Sequence, residues 1–290
     1  MRDLIDKETG EIFNDVIYIK TKESNLKNKD IRSSLKLDRH YNNFIFMNYV
    51  ASSKLLLEDV NLTQSEITRT IFISSFIGKN NKLMITERTC ADKNKLKKEL
   101  NIANTQFKIL YKKLISNNIL IEKSDGIYFN NKYAFCGNIA LNTERKHETD
   151  IIRIYKENIR NVYKQVDSSG HKQLSIFFLL IPFISFEYNI ICFNPLESDR
   201  NKVIPIMIDE LSRQLGYNEK RFKNIINELS KLKDIQDRPI IKQVINIIDG
   251  KKRISIIVNP NIIYAGRDVR NISDISIIFK RWVYKLLFCF

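Results

Sequence analysis

The residues whose chemistry stands out in this sequence are amides and cations grouped in two stretches of the chain. Asn and Gln side chains can pair with adenine in the major groove of duplex DNA, and Lys and Arg neutralise phosphates. The predicted DNA-contacting residues are Asn104, Thr105, Gln106, Lys108, Lys112, Lys220, Arg221, Lys223, Asn224, Asn227, Lys251, Lys252 and Arg253. These residue types predict a surface that binds double-stranded DNA.

The elements that must position the first group lie between residues 92 and 137. The pattern there predicts a positioning helix over 92–100, a recognition helix over 104–117, and a two-stranded wing over 119–133 closed by Ser124-Asp125-Gly126. The apolar residues of the second helix recur at three- and four-residue spacing, so its opposite face is left free for DNA. Helix, turn, helix and hairpin in this order predict a winged helix-turn-helix.

The same pattern occurs a second time. Leu215, Phe222 and Leu229 lie 115 positions after Leu100, Phe107 and Leu114. Two further matches flank this block, at an offset of 107 before it (residues 67–83 with 174–190) and of 129 after it (residues 128–137 with 257–266). Blocks in the same order with growing offsets indicate an internal duplication with insertions in the second copy, one of them in its wing.

We therefore expect an α+β, mainly helical fold with two tandem winged helix-turn-helix domains. The predicted boundaries are an N-terminal hairpin or arm over 1–39, a first domain over 40–138, a linker over 139–149, a second domain over 150–266, and a C-terminal tail over 267–290 that holds Trp282. A capping box at Thr63 and Glu66 predicts the start of an apolar helix that packs behind the DNA-reading pair. The second domain is expected to open with a helix over about 150–165.

Composition supports a polyanionic partner. The chain has 290 residues and a net charge of +15, with a pI near 9.5, and proteins this basic most often bind nucleic acid. The four cysteines lie far apart, which predicts neither a zinc site nor a disulfide framework and favours a reducing cytoplasm. The apolar run over 174–186 is shorter than the roughly 20 residues of a membrane-spanning helix, so no membrane association is expected.

Signatures of catalysis are scarce. The sequence has no phosphate-binding G-x-x-x-x-G-K-[ST] loop and no G-x-G-x-x-G. The three histidines, His40, His147 and His171, lie singly in polar contexts, and we expect them to be solvated surface residues. The sequence thus predicts no catalytic residues, no metal site and no cofactor, and a protein that is not an enzyme.

Three segments carry a resemblance to a known family: residues 6–12 (DKETGEI), residues 151–156 (IIRIYK) and residues 259–266 (NPNIIYAG). With the tandem pattern they resemble replication proteins of Gram-positive plasmids and phages, particularly the RepL type. The first copy departs from this pattern, with Asn131 where the second has Pro260. The resemblance implies a binder of double-stranded DNA that recognises an origin or operator and recruits host replication or transcription proteins; it supplies no catalytic residues.

Other interpretations remain open at this point. Charge runs are often only solvated faces, and the lysines named above would then have no ligand. A transcription regulator would use the same tandem fold, and a winged-helix interaction module would bind protein, with the segment around Trp282 as its docking element. The sequence leaves open whether the chain forms a homodimer and whether both winged helices bind DNA.

Overall fold

The computed structural model describes residues 2–5, 12–16, 44–49, 62–137, 151–248, 251–266 and 268–280. The chain forms two compact units, one of residues 43–182 and the other of residues 183–290 with 1–42. The predicted linker over 139–149, the side chains of His40 and His147, and Trp282 lie outside the described residues. The structure thus divides the chain near residue 182, later than the sequence pattern predicts.

Eight α-helices and several small antiparallel sheets make up the described part of the chain, which is a mixed α and β fold. The helices are α1 (Gln64–Ser74), α2 (Lys93–Leu100), α3 (Asn104–Ser116), α4 (Lys156–Lys164), α5 (His171–Leu179), α6 (Ile208–Gln214), α7 (Glu219–Leu229) and α8 (Asn271–Ile277). The strands are β1 (Arg2–Ile5), β2 (Ile12–Val16), β3 (Phe44–Asn48), β4 (Met84–Thr86), β5 (Thr89–Cys90), β6 (Leu120–Lys123), β7 (Gly126–Phe129), β8 (Ala134–Phe135), β9 (Ile151–Tyr155), β10 (Ile241–Ile248), β11 (Lys251–Val258) and β12 (Ile263–Tyr264).

Helix α1 is the central helix of the unit 43–182. It begins with the predicted capping box: the Thr63 side chain accepts from the Glu66 N–H at 3.4 Å, and the Glu66 carboxylate accepts from the Thr63 N–H at 2.7 Å. All but its first two residues are buried, which is the pattern of a helix covered on all sides. The expected apolar helix behind the DNA-reading pair is therefore present.

Helices α4 and α5 also belong to the unit 43–182 because they pack on α1. Tyr163 of α4 stacks on Phe72 of α1 with ring centroids 3.8 Å apart. The Thr68 hydroxyl donates to the His171 carbonyl at 2.7 Å, and the Arg160 guanidinium donates to the Ser75 carbonyl at 2.6 Å. These buried contacts explain why the division of the chain falls after α5 rather than before α4.

The expectation of a helix over 150–165 is wrong for the first third of this segment. Residues Ile151–Tyr155 form strand β9, and the helix starts only at Lys156. Strand β9 pairs antiparallel with β3, in the register Ile45 to Ile154 and Met47 to Ile152, and β8 pairs with the other edge of β3. The β-branched residues of this run suit a buried strand once a partner strand is present.

In the unit 183–290, helices α6 and α7 precede a long hairpin. Strands β10 and β11 pair over their full length, from Ile241 with Val258 to Ile248 with Lys251. This hairpin lies within the region where the sequence predicts a second wing, and its turn at residues 249–250 lies outside the described residues. Two strands of 8 residues each add much β structure, so the expectation of a mainly helical chain is met only in part.

A buried asparagine organises each unit in the same way. Asn81 donates to the carbonyls of Phe129 and Ala134 at 3.2 and 2.9 Å and accepts from the Cys136 N–H at 3.2 Å. In the other unit Asn189 donates to the carbonyls of Val258 and Ile263 at 2.9 and 2.8 Å, and it accepts from the Ala265 N–H at 3.1 Å.

The partner residues of the two asparagines correspond at the sequence offset of 129. Both asparagines have positive φ, 61° for Asn81 and 57° for Asn189, a conformation that Asn tolerates better than most residues. Each asparagine thus makes three hydrogen bonds of the same kind, which hold its loop against the end of the hairpin and the short strand that follows it.

The chain ends show further regular structure. Strands β1 and β2 form an antiparallel hairpin, one of the two structures expected for residues 1–39, and the turn between them lies outside the described residues. Helix α8 occupies part of the predicted tail, and Ile272 and Ile275 of α8 are buried. Part of the tail is thus packed into the unit 183–290.

Candidate nucleic-acid interface

Helices α2 and α3 are joined by a short turn at residues 101–103. Asp92 caps α2 by accepting from the Lys95 N–H at 2.8 Å. The helix ends where Asn101 takes a left-handed conformation with φ 50°, which reverses the chain in a few residues. Ile102 is buried in this turn and Ala103 precedes α3. The turn therefore fixes the angle at which α3 leaves α2.

Helix α3 has one buried and one exposed face. Its buried residues are Phe107, Leu110, Tyr111 and Leu114, as the apolar spacing predicts. The predicted DNA-contacting residues of this helix, Asn104, Thr105, Gln106, Lys108 and Lys112, are all exposed. Ile109 lies among them with 58% of its surface exposed, and an apolar side chain in that position is suited to contact a thymine methyl group.

The lysines around α3 differ in their ion pairs. Lys108 and Lys112 have no carboxylate within ion-pair distance among the described residues, whereas Lys113 pairs with Glu66 at 2.8 Å. Burial raises the pKa of Glu66, and the hydrogen bonds from Lys113 and Thr63 outweigh this effect, so that its pKa lies below the ordinary value. Lys113 thus anchors α3 to the start of α1, while Lys108 and Lys112 remain available to an external anion.

The first wing is tied to both helices through Glu122 of β6. Its carboxylate accepts from the Tyr111 hydroxyl of α3 at 2.8 Å and pairs with Lys93 of α2 at 2.8 Å. The hydrogen bonds from Lys93 and then Tyr111 lower the pKa of Glu122. At the wing turn Asp125 pairs with Lys82 at 3.1 Å. The wing is therefore held against the helices, and its turn carries a carboxylate rather than a cationic cluster.

Helix α7 of the other unit also has one buried and one exposed face. Phe222, Ile225, Ile226 and Leu229 are buried, and the predicted DNA-contacting residues Lys220, Arg221, Lys223, Asn224 and Asn227 are exposed. Lys223 pairs with Glu219 at 2.5 Å. Lys220 and Arg221 have no carboxylate within ion-pair distance in the described part of the chain. These two cations are the free charges of α7.

Two contacts join the second wing to its helices. Gln243 of β10 donates to the Asn227 amide oxygen at 2.7 Å, and Arg253 of β11 lies 3.8 Å from Glu210 of α6. Asn227 and Arg253 are thus partly engaged within the protein. Lys251 and Lys252 are placed by their backbone in β11 next to the turn, and their side chains lie outside the described residues.

The burial of two polar residues, His171 and Arg69, was not expected from the sequence. His171, expected at the surface, is only 2% exposed and stacks on Tyr163 with ring centroids 4.3 Å apart. Burial, and then the charge of Arg69, lower its pKa to about 4. The prediction was wrong because the polar neighbours of His171 in the sequence give no sign of the contact with α1 and α4. Arg69 is 6% exposed, and the only sequence signal for its burial is its position within the apolar run of α1.

The described residues contain no group of three or more His, Cys, Asp and Glu side chains arranged to hold a metal ion. Within the same ranges, no helix has the length and apolar content needed to cross a membrane. Comparisons with protein-family models, with curated proteins and with solved structures find no match to this chain.

Proposed function

We propose that the protein is a sequence-specific binder of double-stranded DNA that contacts its site through two winged helices derived from an internal duplication. The observation that carries the proposal is the same in both units: two helices joined by a short turn and followed by a hairpin. The second helix has an exposed face of amides and of cations that have no ion pair among the described residues. Lys108 and Lys112 carry this charge on α3, and Lys220 and Arg221 carry it on α7. Free cations on an exposed helix suit the phosphates of a duplex.

Buried contacts inside the protein, which do not depend on DNA binding, also support the duplication. The hydrogen bonds of Asn81 and Asn189 go to residues that correspond at one offset along the sequence. Phe107 and Phe222, which correspond at the offset of 115, are 6% and 0% exposed. Equivalent core and framework residues are what two copies of one folding unit would retain.

Within this class we propose a plasmid or phage replication initiator that binds an origin. The support is the resemblance of residues 6–12, 151–156 and 259–266 to the RepL type, together with the basic charge of the whole chain. Two reading units on one chain would recognise a longer site than one unit, since the second binds at a high effective concentration.

The experiment is a footprint of the purified protein on the DNA that flanks its own gene, followed by binding measurements at several salt concentrations. We expect one protected site and an affinity that falls steeply with salt, because each neutralised phosphate releases about one counterion. Affinity for the protected duplex should exceed that for a scrambled duplex of the same length. Equal affinity for both duplexes, or binding insensitive to salt, would refute the proposal.

A further inference from the structure

Arg69 lies beneath the first turn of α3. Its Nη2 donates to the Gln106 side-chain oxygen at 3.5 Å, while its Nε is buried without a hydrogen-bond partner among the described residues. It also bonds to the Tyr163 hydroxyl, which donates to the Leu100 carbonyl at 2.9 Å. The guanidinium group is therefore held at the turn between α2 and α3, directed at the start of α3.

The charge of Arg69 is not neutralised within the described residues. No carboxylate lies within ion-pair distance of it there, and the acid nearest along the helix, Glu66, is paired with Lys113. A buried cation without a counter-charge is costly. The neighbouring His171 is affected by this charge, since Arg69 is one of the two causes that lower its pKa. A bound anion would supply the counter-charge that Arg69 lacks among the described residues.

The N-terminus of α3 offers further donors at the same place. The first N–H groups of a helix have no partner inside the helix, and Ala103 at the capping position has no side chain to accept from them. Helix α3 has 13 residues, so its dipole adds a partial positive charge at this end. Free N–H groups and a guanidinium are the donors that phosphate oxygens prefer.

Helix α7 has neither feature. Asn218 stands 115 positions after Ala103 and caps α7, accepting from the Arg221 N–H at 3.3 Å. Ile176 stands 107 positions after Arg69, so the cation has an apolar counterpart. Helix α3 thus lacks a side-chain cap and starts next to the buried Arg69 of α1, whereas α7 has a cap and no arginine at the corresponding position.

We propose that Arg69 and the N–H groups of Asn104, Thr105 and Gln106 form a binding site for one phosphate group. The inference rests on the proposed function in its identification of the source, which is a backbone phosphate of the bound duplex. Gln106 covers the guanidinium in the free protein and moves aside when the phosphate binds. This contact fixes the N-terminus of α3 against the DNA backbone.

The first test uses inorganic phosphate and no DNA. Amide resonances of Asn104, Thr105 and Gln106 should shift in a saturable manner when phosphate is titrated into the isotope-labelled full chain. The matched control is the capped helix α7, where the amides of Glu219 and Lys220 should not saturate. Both Arg69→Gln and Ala103→Asn should abolish the shifts; Ala103→Asn adds a neutral cap and so is expected to preserve the fold. Absence of a saturable shift in the unmodified protein, or its persistence in both variants, would overturn the proposal.

The second test identifies the source of the phosphate. On the protected duplex, Ala103→Asn should lower the dependence of log affinity on log salt by about one unit, as expected for one lost phosphate contact. An unchanged slope would overturn the assignment to DNA. If phosphate shifts the amides but the unmodified protein binds no duplex, the DNA-binding function is wrong, and the site binds a free phosphate compound instead.

Discussion

The N-termini of α3 and α7 differ in how their first N–H groups are satisfied. Helix α3 starts at an uncapped Ala103 with the buried Arg69 beneath it, and α7 starts at Asn218, which caps its own helix. The framework around both is the same, with a buried asparagine that binds a turn to the end of the wing. The two helices therefore satisfy their first N–H groups differently. In α7 the Asn218 side chain does so, and in α3 a bound anion would do so.

The cations of α3 and α7 that have no ion pair among the described residues differ in their expected roles. On α3 they follow an N-terminus that already attracts a phosphate, so Lys108 and Lys112 act farther along the helix. On α7 the cap occupies the first N–H groups, and Lys220 and Arg221 in the first turn supply the positive charge instead. We infer that both helices bind the DNA backbone near their starts, by different groups.

The largest expected effect concerns the shared framework. Asn81→Ala and Asn189→Ala each remove three hydrogen bonds. Each should lower the free energy of unfolding by about 3 kcal/mol beyond the cost of a left-handed alanine, since a buried bond contributes about 1 kcal/mol. Asn80→Ala is the control, because Asn80 is exposed and has φ 56°, so it measures only the cost of a left-handed alanine, about 1–2 kcal/mol. Denaturant unfolding gives these values. If one asparagine variant costs no more than Asn80→Ala, the frameworks are not equivalent.

The next prediction concerns the lowered pKa of the buried His171, which neighbours Arg69. The pKa of His171 is about 4 in the folded protein, below its ordinary value, so the unfolded chain takes up a proton at a higher pH than the folded protein does. Above about pH 6.5 His171 is neutral in both states and does not affect the free energy of unfolding. As the pH falls towards 4, protonation of His171 in the unfolded chain lowers that free energy by up to about 3 kcal/mol. His171→Phe keeps the aromatic stack and should remove this part of the acid sensitivity, measured as the difference between the two unfolding curves from pH 7 to 4. Parallel curves would show that His171 is not buried in its neutral form.

A smaller effect comes from exchanging the caps. Ala103→Asn should raise the free energy of unfolding by about 1 kcal/mol, and Asn218→Ala should lower it by about the same amount, because an Asn cap satisfies one free N–H group. Thermal unfolding of both variants in a phosphate-free buffer measures the two changes. Adding phosphate should reduce the gain from Ala103→Asn, because a bound anion already satisfies the same groups in the unmodified protein. A gain that is independent of phosphate would count against the anion site.

The sequence predicts the helices of the candidate interface well because their information is local. The spacing of Phe107, Leu110 and Leu114 identifies the buried face of α3 without reference to other elements, and the capping box at Thr63 identifies the start of α1. The remaining residues of the helix, which lie on the opposite side, are then expected to be exposed. For this reason the candidate residues on α3 and α7 are found at the surface, as the spacing predicts.

The features that the sequence did not predict depend on distant partners. Strand β9 is a strand because β3, about 100 residues earlier, pairs with it. His171 is buried because Tyr163 and α1 cover it, and its polar neighbours suggest the surface. Arg69 gains a role only through its distance from Gln106, which no local spacing encodes. Long-range pairing and burial determine all three.

The central claim is that both helices contact DNA, and paired charge removal tests it most directly. The variants Lys108→Ala/Lys112→Ala and Lys220→Ala/Arg221→Ala each remove two cations that have no ion pair among the described residues. On one footprinted duplex at several salt concentrations, each double variant should weaken binding and lower the salt dependence by about two units. If either variant leaves both the affinity and the salt dependence unchanged, its helix does not bind DNA, and the two-helix account is wrong.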